Sequence, residues 1–275
     1  MRRLAVSAFV LFALTTTGCG YSIPRLNFAV EQRMLRETTL DDMPEGQADA
    51  RDGIVRIVDL GKDTQGTCSG ALIGPRQVLT ANHCVVKMDA KKELTEASLV
   101  PGQLHVELGG GYLPWGRVGV VGIHECGAWR NDQEHDVAVL VRSKPVPKDV
   151  PIFEIGWDVP QEVEVFELGG FGSGGKLKAM PDSGFMMIQS NRHIHRGDVR
   201  VLTDSLIAVN VPGVHGDSGG PIIDVATGRV VSVASRGASK DDDSQKGLVI
   251  GPRLMGCRDA IDAAFRPQPG ERARR

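Results

Sequence analysis

A chain of 275 residues, 41% hydrophobic and with a net charge of −2, is long and apolar enough to bury a sizeable core. Both signs of charge are scattered along it, which excludes a polybasic nucleic-acid or membrane surface, and the apolar content excludes wholesale disorder. Thirty-four glycines, fifteen prolines and little sustained helical periodicity predict many short strands joined by turns.

Residues 1–18 read as an export signal peptide: Arg2 and Arg3 precede an apolar run, Leu4 to Leu14, too short to span a bilayer comfortably. The run ends in Thr16-Thr17-Gly18-Cys19, which resembles a bacterial lipoprotein cleavage site, although Thr16 stands where such sites carry a larger aliphatic residue. On this reading Cys19 becomes a lipidated N-terminus; the alternative is ordinary secretion with cleavage nearby. Residues 19–50 are polar and weakly patterned, as in a lipid-anchored tether or a propeptide-like segment. The expected location is the cell envelope, as an outer-membrane lipoprotein, or the extracellular space.

From Ile54 the pattern changes. Ile54 to Val58, Val78 to Thr80, Leu104 to Leu108, Val118 to Val121 and Val137 to Val141 read as strands, each bounded by turn residues. So do Val163 to Leu168, Leu206 to Val209, Ile222-Ile223 and Val230 to Ala234. This is the pattern of an antiparallel sandwich or barrel. Ser143 to Asp149 suits a link between two halves, and Met255 to Phe265 predicts a terminal helix with Leu254, Ile261 and Phe265 on one buried stripe. Apart from Cys19, the cysteines are Cys68, Cys84, Cys126 and Cys257. Their even number in an exported chain is consistent with two disulfides in any of three pairings, and without a C-x₂-C pair zinc is disfavoured.

Three strings carry candidate chemistry. Gly216-Asp217-Ser218-Gly219-Gly220-Pro221 offers a serine in a turn that glycines let bend sharply, with the amides of Gly216 and Ser218 free to meet a developing oxyanion. Thr80-Ala81-Asn82-His83-Cys84 offers a base, and a bridge from Cys84 to Cys68 would fix the turn presenting it. His135-Asp136-Val137-Ala138-Val139-Leu140 sets a carboxylate at the edge of a buried strand, where it could orient an imidazole. Taken singly, each has an ordinary structural reading: a turn, a structural histidine, a strand cap.

In this order and with these strings, the chain resembles the chymotrypsin/trypsin family of serine proteases. Cys68-Ser69-Gly70-Ala71-Leu72-Ile73 is similar to the family's first-barrel cysteine loop, Gly170-Phe171-Gly172 to its Gly-Trp-Gly turn, and Ser235-Arg236-Gly237 to its substrate-pairing Ser-Trp-Gly strand. The resemblance implies an all-β fold of two six-stranded antiparallel β-barrels with a C-terminal α-helix. It would occupy residues 51–266, with the first barrel at about 51–145, the second at about 150–252, the helix at about 255–265 and a flexible tail at 267–275. It implies a serine endopeptidase acting on polypeptides through His83, Asp136 and Ser218, an oxyanion hole of Gly216 and Ser218, and no metal or organic cofactor. Pocket residues would be Pro212, His215, Ser235, Arg236 and Gly237. It also implies a Cys126–Cys257 disulfide. A monomer with no nucleic-acid partner is expected. The competing reading is a catalytically silent, protease-fold binding module.

The sequence departs from the family in four places. Pro212 stands six residues before the serine, where trypsin-like members carry aspartate, so no strong preference for Lys or Arg is expected. Val214 replaces a common cysteine, and Arg236 replaces tryptophan, putting positive charge where acidic substrate residues could meet it. The freed Ile-Val-Gly-Gly terminus, whose amine pairs in the family with the acid before the serine (here Asp217), has no counterpart. Either Asp217 has another partner, or a cleavage occurs within residues 30–50. His193 and His195 read as a solvated pair on one strand face rather than a metal site. Asp241 to Asp243 read as a surface loop, and Gly169 to Gly175 lack the ending of a phosphate loop.

Overall fold

A computed structural model describes residues 49–59, 67–89, 94–109, 116–127, 133–158, 165–172, 192–201, 203–237 and 247–267. Cys19, the leader, nearly all of the tether, Asp241 to Asp243, Gly174-Gly175 and the last eight residues lie outside these ranges.

Six strands close the first barrel in the order β1-β2-β3-β8-β7-β6. They are β1 (Ile54–Asp59), β2 (Thr67–Leu72), β3 (Gln77–Thr80), β6 (Leu104–Leu108), β7 (Gly116–Glu125) and β8 (Ala138–Arg142), and a hairpin of β4 (Val86–Met88) and β5 (Leu94–Ser98) stands apart. Alternation along each strand divides its side chains between two cores. Val55, Ile57, Leu72, Val78, Leu104, Val106, Ala138 and Leu140 fill the barrel, while Ile54, Ala71, Leu79, Val139 and Val141 face the second half of the molecule. The uninterrupted apolar run of β8 follows, because both of its faces are covered.

The second half contains β9 (Val165–Gly170), β10 (His193–Val201), β11 (Leu206–Asn210), β12 (Pro221–Asp224), β13 (Val230–Val233), β14 (Arg236–Gly237) and β15 (Leu248–Pro252). They pair in the order β13-β12-β9-β10-β11-β15-β14. The two ends of that order, β13 and β14, are halves of one chain segment that bends at Ala234-Ser235. Across the bend Ser235 N donates to Ile250 O at 2.9 Å and Ser232 Oγ donates to Pro252 O at 2.7 Å. The sheet thus returns on itself, with one strand split between β12 and β15. Phe166, Leu168, Ile207, Val209, Ile222 and Val249 form its interior.

The link read at Ser143 to Asp149 leads into a crossing between the halves, where Phe153 N donates to Leu72 O at 2.8 Å and Ile155 bridges to Val230. The C-terminal helix is shorter than expected. Leu254–Cys257 form a 3-10 turn and only Arg258–Ala263, α1, is α-helical. No side chain caps either start, and Gly256 weakens the first turn. The buried stripe also differs: Ala264 joins Leu254, Cys257 and Ile261 inside, while Phe265 is 47% exposed.

Candidate active site

The apolar strand β3 ends at Thr80, and a 3-10 turn over Asn82–Val85 then presents His83. The Cys68–Cys84 disulfide, with its Cα atoms 6.1 Å apart, anchors that turn to β2. Both sulfurs beside His83 are therefore consumed, and the two cysteines with His83 do not make a thiolate metal site.

Asp136 stands two residues before β8 and is fully buried. Its carboxylate meets three donors: His83 N at 2.8 Å on Oδ1, and His83 Nδ1 at 2.7 Å and the Ser235 hydroxyl at 2.5 Å on Oδ2. An ionised carboxylate only accepts, so Nδ1 carries a proton, and in the neutral ring the lone pair falls to Nε2. The arrangement fixes both the ring's orientation and its tautomer. It also compensates a carboxylate that burial would otherwise penalise.

Ser218 comes to the same place from the second half. Its carbonyl accepts from Ser69 N at 2.8 Å and lies 3.6 Å from Cys84 Sγ, one residue along from the imidazole. Gly219, at φ +78°, makes this approach possible: a Cβ there would lie 2.1 Å from Thr80 Oγ1 and 2.4 Å from Ser69 O. Ser69 ties the two halves together. Its hydroxyl donates to Gly216 O at 2.8 Å and accepts from Phe171 N at 2.9 Å. Among the described residues, the amides of Gly216 and Ser218 donate to no backbone acceptor, and the Ser218 hydroxyl makes no hydrogen bond.

Around this centre lie the other residues expected to line a pocket. Arg236 and Gly237 are exposed on β14, while Ser235, beside them, is buried against Asp136. A Cβ on Gly213 would lie 2.5 Å from Val249, whose register partner is Gly237, so Pro212-Gly213 and β14 stand near one another. His215 is exposed, and no hydrogen bond ties it to these walls. The guanidinium of Arg236 donates to the Gln133 amide oxygen from Nη1 at 2.9 Å and Nε at 3.3 Å, with the amide oriented by that pairing. The Cys126–Cys257 bridge, Cα atoms 5.2 Å apart, ties the loop before Asp136 to the start of α1.

Nothing local in the sequence marks the partners of Ser69 and Gln133, which lie far along the chain. Ser235, expected in a pocket wall, also turns its hydroxyl to the acid. A signal for Ser69 did exist: a fully buried polar residue inside an apolar strand needs hydrogen-bond partners.

Residues 46–251 match the family model Trypsin. In fold, the chain is similar to several solved structures, each at 18% identity. A Glu endopeptidase in complex with MPD aligns over 82% of this chain and 98% of its own, with a TM-score of 0.61. Human heparin binding protein aligns over 83% and 97%, with a TM-score of 0.62. A protease from M. tuberculosis in its active form aligns over 80% and 84%, with a TM-score of 0.55. No curated protein matches the chain in sequence.

Proposed function

Because the chain belongs to the trypsin family, we propose that it is an exported serine endopeptidase working through His83, Asp136 and Ser218. The observation that carries this reading is the buried Asp136 carboxylate gripping His83 at both its amide and Nδ1, beside the turn that bears Ser218. A merely structural histidine has no need of a ring orientation and tautomer fixed by a buried carboxylate.

In the proposed cycle the Ser218 hydroxyl attacks a peptide carbonyl carbon and its proton passes to His83 Nε2. The Gly216 and Ser218 amides receive the oxyanion, a stabilisation of about 3 kcal/mol per donor. The C–N bond breaks as His83 returns its proton to the leaving amine. Water then hydrolyses the acyl-enzyme through the same relay. The nucleophile–base hydrogen bond is commonly long until substrate arrives, and an open Ser218 hydroxyl fits that state.

Residues 51–266 are the catalytic domain on this reading, 1–18 the leader, and 19–50 the tether from a lipid on Cys19. Two disulfides support an oxidising compartment. Among the described residues no helix is long and apolar enough to cross a membrane. Pro212 provides no charge to receive Lys or Arg, while Arg236, braced by Gln133, favours acidic residues near the cut.

A fluorophosphonate probe tests the reading. Labelling of folded protein that disappears in Ser218→Ala supports the enzyme. Failure of folded wild type to label favours the binding module instead.

A further inference from the structure

Asp217, immediately before Ser218, is a carboxylate only 3% exposed. Its Oδ2 accepts from Val214 N at 2.9 Å, and its Oδ1 accepts from Gly172 N at 2.9 Å. The remaining approach to Oδ1 is taken by His193 Nε2 at 2.8 Å, an ion-pair contact outside good hydrogen-bond alignment. The main chain of Asp217 is held as well, its N donating to Val214 O at 3.0 Å and its O accepting from Gly220 N at 2.7 Å. This side chain therefore fastens the turn that aims the Gly216 and Ser218 amides.

A buried carboxylate calls for partners that compensate its desolvation, and the His193 ring nitrogen lies within ion-pair distance of it. Arg192, just before β10, is committed elsewhere: Nη1 meets Asp52 at 2.6 Å and Nη2 meets Asp49 at 2.9 Å. The His195 ring lies 5.0 Å from that of His193, and β9 opposes His193 with Gly170, which has no side chain. The glycines of Gly170-Phe171-Gly172 give this contact its room. A Cβ on either would lie 2.3 or 2.5 Å from Asp217 Oδ1.

The chain also enters β1 already strapped down. Arg51 Nη2 meets Glu167 at 2.8 Å, and Asp52, 2% exposed, is held by Arg192. Nothing in this arrangement calls for a newly cut terminus to reach Asp217.

We propose that His193 is a positioning residue: it holds Asp217, and through it the two amides, in working geometry in the uncleaved chain, in place of a freed N-terminal amine. The proposal rests on the protease reading above, and its test separates the two. Protein verified by mass to be uncut within residues 30–50 is compared with His193→Ala and His193→Gln by fluorophosphonate labelling and peptide hydrolysis.

Uncleaved wild type should label at Ser218. His193→Ala should lose at least ~10-fold in kcat with KM within about twofold, because the amides it aims act on the transition state and not on bound substrate. His193→Gln sets an amide nitrogen where Nε2 lies and should recover most of the loss. Should the alanine variant fail to fold, His193→Asn, whose amide reaches only the Nδ1 position, carries the same comparison. Labelled wild type with unchanged kcat in the folded Ala or Asn variant overturns this inference alone. So does activity that appears only after cleavage within residues 30–50. Wild type that labels in neither form overturns the proposed function, and this inference with it.

Discussion

Substituting Gly219 by alanine tests how the two halves of the site are joined. Gly219 sits at φ +78°, where an L-residue costs roughly 1–2 kcal/mol. Its new Cβ would lie 2.1 Å from Thr80 Oγ1 and 2.4 Å from Ser69 O, so ordinary contact demands a shift of about 1 Å or more. Two hydrogen bonds stand in the way of that shift: Ser69 N to Ser218 O and Thr80 Oγ1 to Ser69 O, both 2.8 Å. At about 1 kcal/mol each, their loss brings the expected destabilisation to roughly 3–4 kcal/mol. That is a large share of the 5–15 kcal/mol typical of a domain. A displacement of about 1 Å between nucleophile and base should also slow acylation by about 10²-fold. Urea unfolding with disulfides intact measures the first effect, and fluorophosphonate labelling of the folded fraction measures the second. A variant within about 0.5 kcal/mol of wild type, labelling at the same rate, would refute the claim that Gly219 permits the approach of Ser218 to the histidine turn.

Ser235→Ala removes one of three donors to a fully buried carboxylate that water cannot reach, and kcat/KM should fall by ~10-fold or more, read from steady-state peptide hydrolysis. Arg236→Glu should reverse a preference for acidic over neutral residues near the cut, measured on paired peptides; equal selectivity in both proteins would remove Arg236 from substrate recognition. Burial works to raise the Glu167 carboxyl, but hydrogen bonds and charges from Arg51 and Arg196 outweigh it and hold the pKa below the ordinary value. A depressed acid stabilises the fold above its unfolded pKa and loses that contribution as pH falls through the folded one. Glu167→Gln should accordingly be less stable near neutrality, with the gap closing below about pH 4, followed by unfolding midpoint against pH. Arg142 is fully buried with Nε and Nη1 meeting no acceptor, and burial together with Arg76 pushes its pKa down to about 10. Arg142→Met should raise stability by about 1–3 kcal/mol in urea unfolding.

The parts of the fold that sequence reveals best are those whose residues answer to their immediate neighbours. β6 was legible to the residue because Leu104, Val106 and Leu108 alternate with His105 and Glu107 over a barrel core. β2, β4, β5 and β15 carry no clear strand pattern, since short polar or glycine-containing segments depend on partners distant in sequence. The split of the strand at Ala234-Ser235 was likewise hidden, because the bend answers to β12 on one side and β15 on the other. His83 and Asp136, which the structure brings together, each lie beside an apolar strand that the sequence shows. The pairing of Asp217 with His193 spans two distant segments and leaves no periodic trace. The Cys126–Cys257 bridge, which family resemblance implied, is present.

That bridge has a consequence for the order of events in biogenesis. The segment bearing Cys257 packs back on the first barrel, with Gln77 Nε2 donating to Ala264 O at 3.1 Å and Ile261 seated beside Val139 and Val141. Closing a loop across a sequence separation of 131 withdraws roughly 5 kcal/mol of freedom from the unfolded chain by the chain-entropy estimate. A nascent polypeptide thus carries histidine, acid and serine well before the clamp on its acid-bearing loop can exist. Full rigidity arrives only once the segment bearing Cys257 has been made.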